Sequence, residues 1–315
     1  MRALIVTNMY PSAERPALGS FVRDQVDALR RIPELEVELF AFAPGAAGSY
    51  LRAGSELRRG HDQARFDIVH AHFGLTAWPA LAARARAHAV TLHGTDLADP
   101  RSRVLTLAAL PFLKLVAAVS EPLLGQVPRW ALRGRTAVLP AGVDLHRFRP
   151  IARTQAREQL GLAPEGRYLL FAADPLRPEK RHDRAAAVAG EVPLLSLGNV
   201  DPTQVPLWVN AANAVLVPSE REGFGLAVLE ALACDVPVLA TPVGIHPDAL
   251  RDVDGTLCAP FDLVRWRTAV EPHLRAPPEA DDGRVDGRTS AMRFSAGEMA
   301  ERVVAAWRAV LEGSG

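Results

Sequence analysis

The chain has 315 residues, 49% of them hydrophobic, and its 36 Lys and Arg residues balance its 36 Asp and Glu residues at zero formal net charge. Because chains above roughly 250–300 residues tend to split into separate cores, we expect two domains. A balanced charge lacks the basic surface typical of nucleic-acid binding, so no nucleic-acid partner is predicted. The two cysteines, Cys234 and Cys258, have no metal-like spacing and indicate a reducing, cytoplasmic setting.

The start of the chain, residues 1–7, reads as a first strand and not as a signal peptide. The most apolar stretch, residues 104–119, contains Pro111 and Lys114. It is shorter than the roughly 20 residues that a membrane-spanning helix needs, and it predicts a buried helix followed by a buried strand. Residues 101–114 leave a peripheral contact with a lipid surface open.

In the first half of the chain, short apolar runs alternate with longer segments of helical period. Six runs predict strands, at residues 3–8, 37–42, 67–71, 89–92, 115–119 and 136–139. The segments between them, for example residues 19–31 and 75–88, predict helices. Continuous apolar strands separated by helices indicate a parallel sheet that is covered on both faces.

A stretch punctuated by Gly and Pro, residues 140–150, predicts a linker, after which the pattern starts again. Further strands are predicted at residues 168–172, 193–197, 214–217, 236–240 and 256–259, and helices at 181–189, 204–211, 226–233 and 263–274. Residues 277–289 predict a loop, and residues 295–311 a final amphipathic helix with Ser295 as N-cap and Glu298 in a capping box. The fold predicted is α/β, with two doubly wound, Rossmann-like parallel-sheet domains and an interdomain cleft at the carboxyl ends of their strands.

The strongest motif, residues 218–232, follows the strand predicted at 214–217. Gly223 and Gly225 allow a tight turn and a close approach of backbone to a ligand. The helix that begins after them offers N–H groups to an anion such as a phosphate. Glu222 and Glu230 flank this anion site, where carboxylates suit the hydroxyls of a sugar and a ribose joined by a diphosphate. The alternative is that both glutamates are ordinary charges of a helix start and a solvated face.

A second group, Arg177, Lys180 and Arg181, follows the strand predicted at 168–172. Lys180 is one of only two lysines in a chain with 34 arginines, which draws attention to its compact ammonium group. Fixed cations at a strand end stabilise the negative charge that develops on a departing diphosphate. A solvated basic turn is the alternative.

Polar residues also follow two strands of the first half: His72 ends one strand, and His93 and Asp96 follow the next. Imidazoles at such positions can hydrogen-bond sugar hydroxyls or a phosphate. A metal site is the weaker alternative, because no clear third and fourth ligand accompanies them. Gly19 stands at a helix start after the first strand, where backbone can approach a phosphate, but the loop lacks the G-x-G-x-x-G pattern of dinucleotide dehydrogenases.

Together these motifs resemble glycosyltransferase family 4, the retaining enzymes of the GT-B fold, over nearly the whole chain. The most specific part is Glu222 to Glu230 inside Pro-Ser-x-x-Glu-Gly-Phe-Gly-x-x-x-Leu-Glu-Ala. Residues 141–150 resemble the linker of the family, and the turn at residues 93–94 also fits. Within the family, residues 10–11, 19–26, 172–181 and 208–212 resemble the branch of teichuronic-acid-type envelope polysaccharide transferases.

The resemblance implies an acceptor-side domain at residues 1–147, a nucleotide-sugar-binding domain at 148–292 and a helix at 293–315 that packs back on the first domain. It implies catalytic roles for His93, Arg177, Lys180 and Glu222, donor binding by Gly19, Gly223, Phe224, Gly225, Leu226 and Glu230, and acceptor-side roles for His72 and Asp96. No metal and no other cofactor is expected, because Arg177 and Lys180 would hold the diphosphate. Pro175 stands where the family often has Arg, so Arg177 would act from a shifted position.

The predicted function is therefore a hexosyltransferase that moves a hexose from a GDP-, UDP- or ADP-linked sugar to a hydroxyl of a glycan or lipid-linked acceptor, in cell-envelope polysaccharide synthesis. The protein is predicted to be cytoplasmic, and a peripheral contact at the inner face of the membrane is left open. One alternative is an epimerase or phosphorylase on the same fold. Another is a sugar-nucleotide-binding subunit whose catalysis has decayed.

Overall fold

A computed structural model describes residues 1–16, 18–198, 200–275 and 284–313. The chain divides into two compact units: Met1–Gly142 with Ala296–Gly315, called unit 1, and Val143–Ser295, called unit 2. The units change at residue 142 instead of the predicted 147, and at 295 instead of 292. Val143 N–H donates a 2.9 Å hydrogen bond to the Phe294 carbonyl, which ties the two ends of unit 2 together.

Unit 1 is built on a six-stranded parallel sheet in the order β2-β1-β3-β4-β5-β6. Its strands are β1 Arg2–Thr7, β2 Glu36–Ala41, β3 Phe66–His72, β4 Ala85–Leu92, β5 Leu115–Ala118 and β6 Arg135–Val138. Its helices before residue 142 are α1 Ser20–Arg30, α2 Ala47–Gly60, α3 Ala77–Ala80, α4 Thr95–Ala98, α5 Pro100–Ala109 and α6 Glu121–Leu124, with 3-10 turns at Gly74–Thr76, Leu110–Phe112 and Arg129–Ala131. The apolar strands predicted in this half are therefore strands of one sheet.

Unit 2 repeats the arrangement with a five-stranded parallel sheet in the order β11-β10-β9-β7-β8. Its strands are β7 Leu169–Phe171, β8 Leu194–Ser196, β9 Ala214–Val217, β10 Val238–Ala240 and β11 Leu257–Cys258. Its helices are α7 Arg153–Gln159, α8 His182–Ala189, α9 Val205–Ala211, α10 Leu226–Ala233, α11 His246–Ala249, α12 Leu263–Arg275 and α13 Arg288–Met292, with a 3-10 turn at Pro178–Lys180. Two parallel-sheet α/β units confirm the predicted fold class.

The last helix, α14 Ala296–Glu312, belongs to unit 1, as the resemblance implied. It places Val303, Val304, Trp307 and Val310 in a core cluster with residues of α1, β1, β3 and β4. The buried indole N–H of Trp307 donates a 2.8 Å hydrogen bond to Nδ1 of His70 on β3. This helix therefore completes the core of unit 1.

Two sequence predictions fail in part. The helix predicted at 75–88 is wrong beyond Ala80, because residues 85–88 pair with β3 as the first half of β4. The loop predicted at 277–289 lies partly outside the described residues, and Arg288 and Thr289 belong to α13. In the described part of the chain, no helix has both the length and the apolar character needed to cross a membrane.

Both sheets reverse their winding at one point. In unit 1, β1 lies between β2 and β3, and in unit 2, β7 lies between β8 and β9. Ligands of such sheets bind outside the carboxyl ends of the strands at this switch point. The side chains that follow β1, β3, β7 and β9 are therefore the ones to compare with the predicted site.

Candidate active site

The turn between β9 and α10 is specified by a glycine. Gly225 has φ +101°, and a Cβ atom at this position would lie 2.5 Å from Nε2 of His246. The turn is also held by a 2.7 Å hydrogen bond from the Ile245 N–H to the Phe224 carbonyl. A residue with a side chain would be strained here and would collide with the imidazole, so both the conformation and the close packing require Gly225.

Helix α10 starts at Leu226, and no side chain in the described part of the chain caps its N-terminus. The first N–H groups of a helix have no intrahelical carbonyl partner, and the helix dipole adds positive character there. The start of α10 is thus suited to an anion such as a phosphate. It lies after β9, at the switch point of the unit 2 sheet.

Beside this helix start, Lys180 and Glu222 form an ion pair with a distance of 2.6 Å between Nζ and Oε2. The two side chains are only 14% and 7% exposed. The hydroxyl of Ser219 donates a 2.7 Å hydrogen bond to the other carboxylate oxygen of Glu222. Lys180 ends the 3-10 turn after β7, and Glu222 follows β9, so the adjacent strands β7 and β9 bring the pair together.

The neighbouring arginines have other partners. Arg177 donates from Nε and Nη2 to one oxygen of Glu179, at 3.0 and 2.7 Å, on an exposed surface. Arg181 forms ion pairs with Asp183 and Glu220. The predicted basic group is therefore divided: Lys180 contacts the carboxylate of the β9 loop, and Arg177 contacts its own turn.

The other donor-binding residues predicted from the sequence lie on the same segment. Phe224 is buried, Gly223 and Leu226 are partly exposed, and Glu230 is partly exposed on α10. The structure thus places Gly223 to Leu226 and Glu230 on one loop and helix that start from the switch point.

In unit 1, the loops after β3 and β4 are joined by Asp96. Its carboxylate accepts hydrogen bonds from the backbone N–H groups of Gly74, His93 and Gly94, the last two at 2.6 and 2.9 Å. Asp96 is fully buried, and burial raises the pKa of its carboxyl group. With three backbone partners, Asp96 fixes the position of His93 and does not itself reach a solvent-exposed surface.

His72 and His93 share a hydrogen bond of 3.1 Å between Nδ1 and Nε2. Burial lowers the pKa of His72 to about 4 and holds the pKa of His93 well below its usual value, with repulsion from His72 adding to the effect. Both rings are therefore neutral at pH 7. Nε2 of His72 is buried and has no hydrogen-bond partner in the described structure.

Gly19 lies close to this histidine pair. It has φ +66°, and a Cβ atom there would lie 2.1 Å from the carbonyl oxygen of Met9, so the turn before α1 requires glycine. Two residues later, the ring of Phe21 lies 5.0 Å from the ring of His93. The structure therefore brings together Gly19, His72, His93 and Asp96 at the carboxyl ends of β1, β3 and β4.

The described parts of the two units contain no candidate metal site. Among the described residues, no group of three His, Cys, Asp or Glu side chains is arranged to hold a metal ion. The two histidines bind each other, and Asp96 binds backbone N–H groups.

Two side chains beside the Lys180–Glu222 pair were not predicted to have a role. Ser219 orients Glu222 through its hydrogen bond. Its position in the sequence, three residues before that glutamate, is the feature that could have indicated this role. His246 is fully buried against Gly225, with Nδ1 donating to the Thr241 carbonyl at 2.8 Å and Nε2 without a partner in the described structure. No sequence signal marked His246, because only the fold brings α11 to the start of α10.

Comparison with known proteins agrees with this geometry. The family described as Glycosyltransferase Family 4 matches residues 5–147, and the family described as Glycosyl transferases group 1 matches residues 167–281. The D-inositol 3-phosphate glycosyltransferase of Mycolicibacterium paratuberculosis is 31% identical over 86% of this chain and 71% of its own length. The chain belongs to glycosyltransferase family 4. The similarly named protein of Actinosynnema mirum is 32% identical over 87% of this chain and 78% of its own length.

Solved structures share the GT-B fold of this family 4 chain. Sucrose-phosphate synthase from Thermosynechococcus elongatus superposes with a TM-score of 0.76 at 20% identity, covering 99% of each chain. Anabaena HepE in complex with UDP and glucose gives 0.70 at 18% identity, covering 98% of this chain and 100% of that one. The catalytic domain of starch synthase IV from Arabidopsis thaliana, bound to ADP and acarbose, gives 0.72 at 15% identity, covering 99% of each chain. These structures show the fold, and the family matches together with the relatives named glycosyltransferases show that the chain is a hexosyltransferase that uses a sugar nucleotide.

Proposed function

We propose that the protein is a metal-independent, retaining transferase that moves a hexose from a nucleotide diphosphate-sugar to a hydroxyl of a glycan or glycolipid acceptor in cell-envelope polysaccharide synthesis. The observation that carries the proposal is the largely buried Lys180–Glu222 ion pair beside the start of α10. Two buried charges are costly to desolvate, and removing either partner would leave the other uncompensated. A pair kept at a switch point, next to an anion-binding helix start, supports a catalytic use.

In the proposed donor complex, the diphosphate binds at the start of α10 through the N–H groups near Gly225 and Leu226. Glu222, oriented by Ser219, accepts hydrogen bonds from hydroxyls of the sugar, and Glu230 on α10 accepts them from the ribose. The division of roles between the two glutamates comes from the family resemblance. The uncapped helix end and the 2.7 Å bond from Ser219 to Glu222 support it.

In the proposed reaction, the bond between the anomeric carbon and the diphosphate oxygen breaks, and the acceptor oxygen bonds to the same face of that carbon. The acceptor proton passes to the leaving phosphate oxygen. Negative charge grows on the leaving diphosphate, and the ammonium of Lys180 and the α10 dipole stabilise it. Such groups act strongly because they are fixed and largely shielded from water before the reaction begins.

In unit 1, we assign the neutral His72–His93 pair to hydrogen bonding with hydroxyls. A neutral imidazole can accept or donate one hydrogen bond at each nitrogen, whereas an imidazolium can only donate. The low pKa values of both histidines support this assignment at pH 7. The backbone of the Gly19 turn is assigned to the phosphates, and Asp96 to the positioning of His93.

A second acceptor class is favoured by the relatives. Those reported above are named D-inositol 3-phosphate glycosyltransferases, so a phosphorylated cyclitol is a candidate acceptor for this chain as well. The teichuronic-type branch stays a prediction. We place the protein in the cytoplasm, with a peripheral membrane contact as part of the glycolipid alternative.

The first experiment is a thermal-shift screen with GDP-, UDP- and ADP-sugars, followed by turnover with the stabilising donor and each acceptor class, with and without a chelator. We expect stabilisation by one nucleotide class, transfer that needs an acceptor, and no loss of transfer with chelator. Turnover of donor without any acceptor would favour the epimerase. Glu230→Ala and Lys180→Ala variants that bind and transfer like the parent chain would contradict the proposed site.

The decayed-subunit alternative makes a different prediction from the same screen. A binding subunit would be stabilised by a nucleotide-sugar but would transfer nothing to any acceptor class. The intact Lys180–Glu222 pair favours the enzyme, because a chain that only binds has no need for a buried cation beside the leaving group.

A further inference from the structure

Unit 1 contains a cavity of about 1010 Å³ between α2, α3 and α5. This volume is at the upper end of the roughly 300–1,000 Å³ typical of small-molecule sites. None of the residues that the structure gives to its lining belongs to the predicted site around His72 and His93. The helices that line the cavity, α2, α3 and α5, come after β2, β3 and β4 in the chain.

One wall of the cavity is apolar and exposed. Leu51 of α2, Trp78 of α3 and Leu105 of α5 all line it, and all three have large exposed apolar side chains. Grouped exposed apolar side chains around a concave surface mark binding sites more often than scattered ones do. The cavity therefore suits an apolar ligand.

The wall is held in place before any ligand arrives. The Trp78 indole N–H donates a 3.1 Å hydrogen bond to the Leu105 carbonyl, which joins α3 to α5. The hydroxyl of Tyr50, another lining residue, accepts a 2.8 Å hydrogen bond from Asn8. A preformed wall lowers the entropy that binding must overcome.

The charges at the cavity are mainly positive. Arg58 and Arg101 line it, and the guanidinium groups of both are without a side-chain hydrogen bond among the described residues, while Arg101 lies in the field of the Asp99 carboxylate. Among the described lining residues the one carboxylate is that of Asp99, which is the N-cap of α5 and accepts a 2.8 Å hydrogen bond from the Ser102 N–H. Two guanidinium groups beside an apolar wall match an anionic head group attached to an apolar chain.

We propose that this cavity binds the alkyl chain of an individual anionic amphiphile, with the chain against Leu51, Trp78 and Leu105 and the head group on Arg58 and Arg101. The binding itself is independent of the transferase assignment. The functional interpretation of this binding rests on the proposed function: the acceptor carries a lipid chain, and unit 1 holds that chain.

The test titrates the full chain with decyl and dodecyl phosphate below their micellar concentrations, by calorimetry and by tryptophan fluorescence. We expect saturable 1:1 binding, with a dissociation constant that falls roughly fourfold for each added methylene, or about fifteenfold between the two probes. Leu105→Glu should weaken binding by roughly tenfold or more, because it places an unpaired carboxylate against the chain. Arg58→Ser should weaken it by roughly tenfold through loss of a charged hydrogen bond.

The chain offers matched controls for both variants. Val104 precedes Leu105 on α5, is 68% exposed against 50%, and does not line the cavity. Arg59 follows Arg58 on α2 and does not line it either. Val104→Glu and Arg59→Ser should bind both probes like the parent chain, and none of the four changes at exposed positions should alter the circular dichroism spectrum.

Three results would overturn the proposal. The first is the absence of saturable binding to either probe. The second is an equal loss of affinity in the Leu105→Glu and Val104→Glu variants. The third is binding to vesicles of phosphatidylcholine and phosphatidylglycerol without binding to the monomeric probes, which would indicate a membrane surface instead of a cavity. Stabilisation by nucleotide-sugars, measured on the same samples, reports separately on the proposed donor site.

Discussion

At the scale of single residues, Gly225 links the turn before α10 to the buried ring of His246. We predict that Gly225→Ala lowers the free energy of unfolding by about 2–4 kcal/mol, because it combines backbone strain at φ +101° with a clash at 2.5 Å. Urea denaturation followed by circular dichroism measures the change. Gly48→Ala on α2 is the control, since a Cβ there meets nothing within 4 Å, and it should be neutral or stabilising by up to about 1 kcal/mol.

The buried histidines predict a pH dependence of stability. The folded pKa of His72 is about 4, below the ordinary 6.5, so the unfolded chain binds more protons between these values. The contribution of neutral His72 to the free energy of unfolding is complete above about pH 6.5 and decreases as the pH falls toward 4. The decrease is up to about 1.4 kcal/mol per pH unit for each such histidine. Urea denaturation at several pH values should reveal this slope.

The variants identify the source of that slope. His72→Gln should reduce the dependence between pH 6.5 and 4, whereas His146→Gln, at an exposed position, should leave it unchanged. A slope that stays the same in His72→Gln would mean that other groups are responsible.

The sequence predicted where site residues lie along the chain but not which of them meet. Lys180 and Glu222 were both placed after strands, and the pattern assigned one to the diphosphate and the other to the sugar. Their direct ion pair, 42 residues apart, depends on β9 lying next to β7, which strand prediction alone does not give. For the same reason the contact of His246 with Gly225 could not be foreseen.

At the scale of elements, the motif segment was predicted best. Strand β9 and helix α10 have the predicted bounds, because a continuous apolar run, a glycine turn and strong helix formers all agree there. Helix α2 was not among the predicted elements, since glycines at 48, 54 and 60 weaken its helical signal.

The error at 75–88 has a tertiary cause. The alanines and arginines of this segment favour helix, but residues 85–92 pair with β3 as β4. Ala87 and Ala89 lie in the same core cluster as Val303 and Trp307 of α14. Their small side chains leave room for that helix, which an isolated reading of the segment cannot include.

The docking of α14 depends on the bond between Trp307 and His70. Trp307→Phe removes the N–H group, leaves Nδ1 of His70 buried without its donor and creates a small cavity. We predict a loss of about 2–4 kcal/mol in the free energy of unfolding, measured by urea denaturation. Trp130→Phe, at an exposed ring, should change it by less than about 0.5 kcal/mol. Equal effects of the two changes would show that the buried bond contributes nothing.

At the scale of the whole molecule, unit 1 is discontinuous in sequence and unit 2 is not. A chain truncated after Ser295 loses α14, whose buried residues are Ala296, Met299, Ala300, Val303, Val304, Trp307 and Val310. Burial of each large side chain contributes about 1.5–3 kcal/mol, and the total approaches the whole stability of a domain, about 5–15 kcal/mol.

We therefore predict that the truncated chain keeps unit 2 folded and loses unit 1. Limited proteolysis with mass spectrometry should recover a resistant fragment near residues 143–295 and no resistant fragment from residues 1–142. A protected N-terminal fragment would contradict the account of α14 as part of the unit 1 core.

The repeated alternation of strands and helices was sufficient to predict two parallel-sheet domains, whereas the return of the last helix to unit 1 came from the family resemblance. The cavity between α2, α3 and α5 was not predictable in the same way. Its lining comes from three separate segments, and exposed Leu51, Trp78 and Leu105 carry no common spacing in the sequence.

The most direct test of the central claim compares kcat/KM for sugar transfer in Glu222→Gln and Glu220→Gln, two changes on one loop. Glu222 contacts the largely buried ammonium group of Lys180, whereas Glu220 pairs with Arg181 on the exposed side. We predict that Glu222→Gln lowers kcat/KM by about 10²-fold or more with an unchanged circular dichroism spectrum. Glu220→Gln should stay within about fivefold of the parent chain. Equal effects of the two changes, or a Glu222→Gln variant as active as the parent, would contradict the assignment of the Lys180–Glu222 pair to catalysis.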